Sequence, residues 1–67
     1  MIGVTVNGER TEVAESTTVA ELLRRAGVAD RPCAVEVNRT VVPRREHGQR
    51  TLAEGDVVEI VTLVGGG

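Results

Sequence analysis

The residues with the clearest chemistry stand together at the end of the chain. Gly65-Gly66-Gly67 directly follow an apolar run that closes on Val64. Glycine has no side chain, so such a segment can thread a channel too narrow for any other residue, or lie extended and offer only backbone hydrogen bonds. Four residues from Val64 onward span about 13 Å when extended, at about 3.3 Å each. The expectation is a folded body of residues 1–64 and a flexible glycine tail of 65–67, with Gly65 and Gly66 threading a partner's active site and Gly67 presenting its carboxylate there. That carboxylate has a reference pKa of about 3.5, so it is ionised at neutral pH and inert until something activates it. Taken alone, a glycine run reads equally well as frayed chain or linker.

The remaining chemistry-bearing side chains have mostly structural readings. Cys33 is the one cysteine, which excludes an internal disulfide and any site needing several thiolates. It reads as a small residue packed at a strand entry rather than a persulfide carrier. His47 has no acid-base constellation near it in sequence and reads as a surface or loop-packing histidine. Glu21 reads as a helix cap, and Asn7-Gly8 as a turn rather than a phosphate loop. Arg44, Arg45 and Arg50 fall in a polar loop that is either solvated or turned toward an acidic partner. No metal site and no bound cofactor are expected.

Sixty-seven residues make one domain with a small core and little room for an internal substrate pocket. The chain is 40% hydrophobic without a single aromatic residue, and carries a net charge of -2. That balance suits a folded protein and does not point to nucleic acid or an anionic membrane as partner. All eight basic residues are arginine, so no lysine is available to receive an isopeptide bond from another copy. Met1-Ile2-Gly3-Val4 does not open a signal peptide, and no run approaches a membrane span. A cytoplasmic location is the default expectation.

Alternation along the chain sets out the elements that must position the tail. Ile2, Val4 and Val6 alternate as a strand, Asn7-Gly8 is a strong hairpin signal, and Arg10 to Ala14 returns as the second strand. Thr18-Val19-Ala20-Glu21 reads as a capping box. Val19, Leu22, Leu23 and Ala26 form one helical stripe, Arg24 and Arg25 complement the helix dipole, and Gly27 is placed for a left-handed C-terminal cap. Ala34 to Asn38 alternates again with Val35 and Val37 inward. Val41 and Val42 form a brief strand stopped by Pro43, residues 43–50 a charged loop, Leu52 a core anchor in an irregular turn, and Glu54-Gly55-Asp56 a tight turn. Val57 to Val64 is the longest β-favouring run. The order ββαβββ predicts an α+β fold, a mixed sheet of four to five strands with one helix across one face. The last strand is expected parallel to the first. It would turn Val58 and Ile60 toward the helix and leave Val57, Glu59, Val61 and Leu63 on the open face as a candidate partner-binding strip.

This order, closed by a projecting diglycine, resembles the ubiquitin-like β-grasp fold. Within it the chain is similar to the ThiS family of thiamine-biosynthesis sulfur carriers. The residues that carry the likeness are Val4-Thr5-Val6-Asn7-Gly8, the segment from Val35 to Arg44, Glu54-Gly55-Asp56, and Val64-Gly65-Gly66-Gly67. Together they are fairly specific and cover essentially the whole chain.

The resemblance implies a chemistry. A ubiquitin-activating-type adenylyltransferase (ThiF-like) uses ATP to adenylate the Gly67 carboxylate. A sulfur donor then displaces AMP to leave a thiocarboxylate, and thiazole synthase (ThiG-like) uses that sulfur to build the thiazole ring. The chain would be a carrier and co-substrate, not an enzyme, and β-grasp carriers generally dock through the open face that holds the proposed strip. Related readings stay open: a carrier for molybdopterin, cysteine or thiolated-nucleoside synthesis, a protein modifier, or a non-covalent β-grasp binding module. The ferredoxin version of the fold is excluded by the cysteine count.

Overall fold

The computed structural model describes residues 1–63. The expectations for Val64 and for the tail Gly65, Gly66 and Gly67 concern residues outside the described ones. Strands β1 (Ile2–Val6) and β2 (Glu9–Val13) form a hairpin. Helix α1 (Val19–Arg25) follows, then β3 (Cys33–Val37), β4 (Thr40–Val41), a 3₁₀ turn (Arg44–Glu46) and β5 (Val57–Thr62). The five strands make one sheet in the order β2-β1-β5-β3-β4. β5 is central and antiparallel to β3; it lies parallel to β1, as expected of the two most apolar strands.

Both hairpins turn through two residues with positive φ, which type I′ geometry requires and which matches the twist of the flanking strands. Asn7 (φ 49) and Gly8 (φ 82) join β1 to β2; Asn38 (φ 52) and Arg39 (φ 69) join β3 to β4. The second turn ends β3 at Val37, so Asn38 is not the strand residue that alternation implied. β4 is Thr40–Val41 rather than Val41–Val42: Val41 faces solvent while Val42 is buried.

The capping box is present in full. Thr18 Oγ1 accepts from the Glu21 N–H at 3.2 Å, and Glu21 Oε1 accepts from the Thr18 N–H at 2.9 Å. At seven residues α1 is too short to stand alone; Val19, Leu22 and Leu23 bury it against the sheet. The helical stripe stops there. Ala26 is exposed because the chain leaves the helix at that residue. Gly27 takes φ 78, its N–H reaches the Arg24 carbonyl, and the Val28 N–H reaches the Leu23 carbonyl at 3.0 Å. This is a Schellman ending, and it turns Val28 onto the core in place of Ala26.

Val4, Val13, Val19, Leu22, Leu23, Val35, Val37, Val42, Leu52 and Val58 form the core, with Cys33 and Ile60 packed against it. The loop between β4 and β5 is docked by the start of α1. The Val19 and Ala20 amides, which no helical carbonyl can satisfy, donate to the Arg50 and His47 carbonyls at 2.9 Å each. Among the described residues no helix is long and apolar enough to cross a membrane.

Candidate functional site

The central strand delivers the chain end. β5 is bound on both sides at its start, by β1 at Thr5–Val57 and Val6–Val58 and by β3 along five pairs that reach Cys33–Thr62. β1 turns away after Val6, and the side chain of Asn7 takes its place. Its Oδ1 accepts from the Ile60 N–H at 2.7 Å and its Nδ2 donates to the Ile60 carbonyl at 3.1 Å. On the other side of the strand Asn38 Oδ1 accepts from the Val57 N–H at 2.9 Å, and its Nδ2 donates to Asp56 Oδ1 at 3.0 Å. Asp56 Oδ2 also accepts from the Ala53 N–H at 2.8 Å, closing the turn in which Gly55 adopts φ 86. The last described residue, Leu63, donates its N–H to the Pro32 carbonyl at 2.9 Å. Hydrogen bonds thus hold the strand from Val57 to Leu63, two sets of them from asparagines.

Alternation along β5 sorts its side chains as expected. Val58 is buried and Ile60 half-buried on the helix side. Val57, Val61 and Leu63 are 46%, 57% and 56% exposed, with Glu59 exposed among them. The register adds residues that reading one strand at a time had not brought together. Glu36 stands opposite Glu59, Ala34 opposite Val61, and Val41 opposite Glu36. Val41 is 62% exposed. The open face thus carries a broad apolar area with a carboxylate pair in its middle. Only cross-strand pairing reveals that assembly.

The other candidates do not gather into a site. His47 is buried, with Nε2 3.0 Å from the Val42 carbonyl; a carbonyl only accepts, so Nε2 carries the proton. It holds the loop, as a packing histidine does. Arg44, Arg45 and Arg50 are exposed on the loop whose carbonyls cap the start of α1. Cys33 begins β3 half-buried beside Thr62. Glu21 is a cap, and its Thr18 hydrogen bonds hold its carboxyl below the usual range. Among the described residues no three His, Cys, Asp or Glu could hold a metal ion.

The ThiS family model matches residues 4–67. The chain belongs to the ThiS family. Its structure superposes with a TM-score of 0.81 on the crystal structure of a thiamine biosynthesis protein (ThiS) from Geobacter metallireducens, at 38% identity over 98% of this chain and all of that one. A solution structure of a thiamine biosynthesis protein from the same organism gives 0.79 at 39% identity, covering 98% and 88% of the two chains. The β-grasp architecture expected from the resemblance is thus that of the ThiS family. The chain is also 42% identical over 62 residues to a thiazole synthase of Paramagnetospirillum magneticum and 40% identical to one of Magnetococcus marinus. In each case it covers 92% of this chain but spans only 19% of the longer relative. Uncharacterized protein ycf40 of Porphyra purpurea is 33% identical over 98% of this chain and 93% of its own.

Proposed function

We propose that this chain is the sulfur carrier of thiamine thiazole synthesis. Its Gly67 carboxylate is adenylated by a ThiF-like enzyme at the expense of ATP. A sulfur donor displaces AMP, and the thiocarboxylate so formed gives its sulfur to a ThiG-like thiazole synthase. The observation that carries this reading is the ThiS-family match, which runs through the glycine tail to residue 67. The likeness to segments of two thiazole synthases supports the second partner.

The physical logic follows from the parts. A carboxylate resists nucleophilic attack, and the acyl-adenylate supplies a leaving group. The thiocarboxylate is a strong nucleophile that stays tethered, so its effective concentration at the next active site is high. The body supplies no catalytic group to this chemistry. Its task is to dock through the β5 face and hold the strand that leads to Gly65, Gly66 and Gly67.

Deleting Gly67 tests the reading. Since the buried core among the described residues lies between Val4 and Val58, the deleted chain is expected to unfold at the same urea concentration as the intact one yet accept no adenylate. Normal thiocarboxylate formation by the deleted chain would contradict it.

A further inference from the structure

We propose that the outer edge of the sheet at β2 pairs antiparallel with β2 of a second copy of this chain, about a two-fold axis through Thr11. This assembly is independent of the sulfur-carrier reading.

β2 and β4 are the outer strands of the sheet, and they differ as edges. β4 is two residues long, and Pro43 follows two positions after its end, where a ladder cannot continue. β2 runs the five residues Glu9–Val13 in unbroken register with β1. It carries neither the proline nor the bulge that commonly keeps an edge from pairing.

The hydrogen bonds say which backbone groups of β2 face outward. β1 turns the Thr5 and Asn7 amides toward β5, where they donate to the Asp56 and Val58 carbonyls at 2.9 Å each. The groups of Val4 and Val6 therefore serve β2, and their partners Thr11 and Glu9 face inward. Arg10 and Glu12 alternate with these, so their N–H and C=O groups lie on the free side. The Glu12 carbonyl bears this out: Arg25 Nη1 donates to it from α1 at 3.5 Å. That contact is long for a hydrogen bond and is readily exchanged for a backbone amide.

The charges of β2 are self-complementary in one register. With Thr11 on the axis, Arg10 of each copy stands opposite Glu12 of the other, and Glu9 stands opposite Val13. Each Arg10–Glu12 pair exchanges two backbone hydrogen bonds and brings opposite charges together, and Thr11 meets its own copy at the closer, non-hydrogen-bonded spacing. The adjacent registers that still match outward groups put Arg10 on Arg10 or Glu12 on Glu12, where like charges oppose pairing. Arg10 and Glu12 are both exposed. The Arg10 guanidinium, folded over Gly3 in the single chain, swings outward to meet the second copy. The contact is isologous and closes on itself. It joins two five-stranded sheets edge to edge and leaves β5 and its open face uncovered.

The test is sedimentation equilibrium of the intact chain and of Arg10→Glu and Glu12→Arg, alone and mixed, with each variant shown folded by circular dichroism. The intact chain is expected to dimerise reversibly. Each single reversal is expected to weaken the dimer by roughly tenfold or more, because it acts at two symmetry-related pairs. An equimolar mixture of the two variants is expected to regain the affinity, since every reversed position then faces an opposite charge. An intact chain that stays monomeric up to about 1 mM would overturn the proposal. A dimer indifferent to both reversals would overturn the choice of edge, and folded variants that stay apart when mixed would overturn the register.

Discussion

The amide side chain of Asn7 satisfies both backbone polar groups of Ile60, 53 residues away, with its Oδ1 2.7 Å from the Ile60 nitrogen and its Nδ2 3.1 Å from the Ile60 carbonyl oxygen. It extends the ladder of β1 by one rung after the backbone of β1 has turned into the hairpin. Asn7 also holds φ 49, a conformation that asparagine tolerates better than most residues. Asn7→Ala removes both contributions and is expected to destabilise the body by about 1–3 kcal/mol. Asn7→Gly keeps the turn and loses only the clamp, so it falls between. Urea unfolding measures the loss, and hydrogen exchange at the Ile60 amide locates it. An unprotected Ile60 amide in the wild-type chain would show that the clamp does not form.

Arg39 occupies the corresponding hairpin between β3 and β4 at φ 69. A left-handed residue with a Cβ costs about 1–2 kcal/mol, offset in part by the greater backbone entropy that glycine loses on folding. Arg39→Gly is expected to raise stability by up to about 1 kcal/mol, read from the urea midpoint at constant slope. A lower midpoint would mean that the arginine side chain makes a compensating contact.

Glu21 supplies the pH dependence that the structure makes explicit. Hydrogen bonds from the Thr18 backbone and then the Thr18 hydroxyl, aided by Arg24, lower its pKa from the ordinary 4.5. A depressed carboxylate stabilises the folded state above its unfolded pKa, and that contribution is lost as pH falls through the folded value. Helix α1 is therefore expected to weaken below about pH 4.5 through this residue. Glu21→Gln flattens that part of the stability profile without changing its direction above neutral pH. Identical profiles for both forms between pH 5 and the acid transition, roughly the carboxylate range, would remove Glu21 from the account.

Leu63→Arg places a charge at the end of the exposed strip, where the side chain is 56% exposed and outside the core. Stability is expected to change by no more than about 0.5 kcal/mol, while activation or sulfur transfer slows. Unchanged kinetics with both partner enzymes would detach the strip from docking.

Features written in neighbouring residues were legible before the structure. Asn7-Gly8, Thr18 with Glu21, and Gly27 each act within a few positions, so the first hairpin, the capping box and the left-handed helix end could be read directly. The alternation of Val57 to Leu63 likewise sorted buried from open positions. What acts across the chain was not legible. Asn7 to Ile60 and Asn38 to Val57 join residues far apart, and Asn38-Arg39 lacks the glycine that marks such a turn. Ala26 kept the helical spacing but stood where the Schellman ending had already left the helix, so Val28 took its place on the core. The Glu36–Glu59 pair exists only once β3 and β5 are in register. The tail's chemistry came from the family likeness and from glycine's lack of a side chain.

The most direct test is the intact mass of this chain after incubation with its own organism's adenylating enzyme, ATP and a sulfur source. The account predicts replacement of one oxygen by one sulfur, mapped by fragmentation to Gly67. An unchanged mass, with the same enzyme active on another carrier, would contradict it.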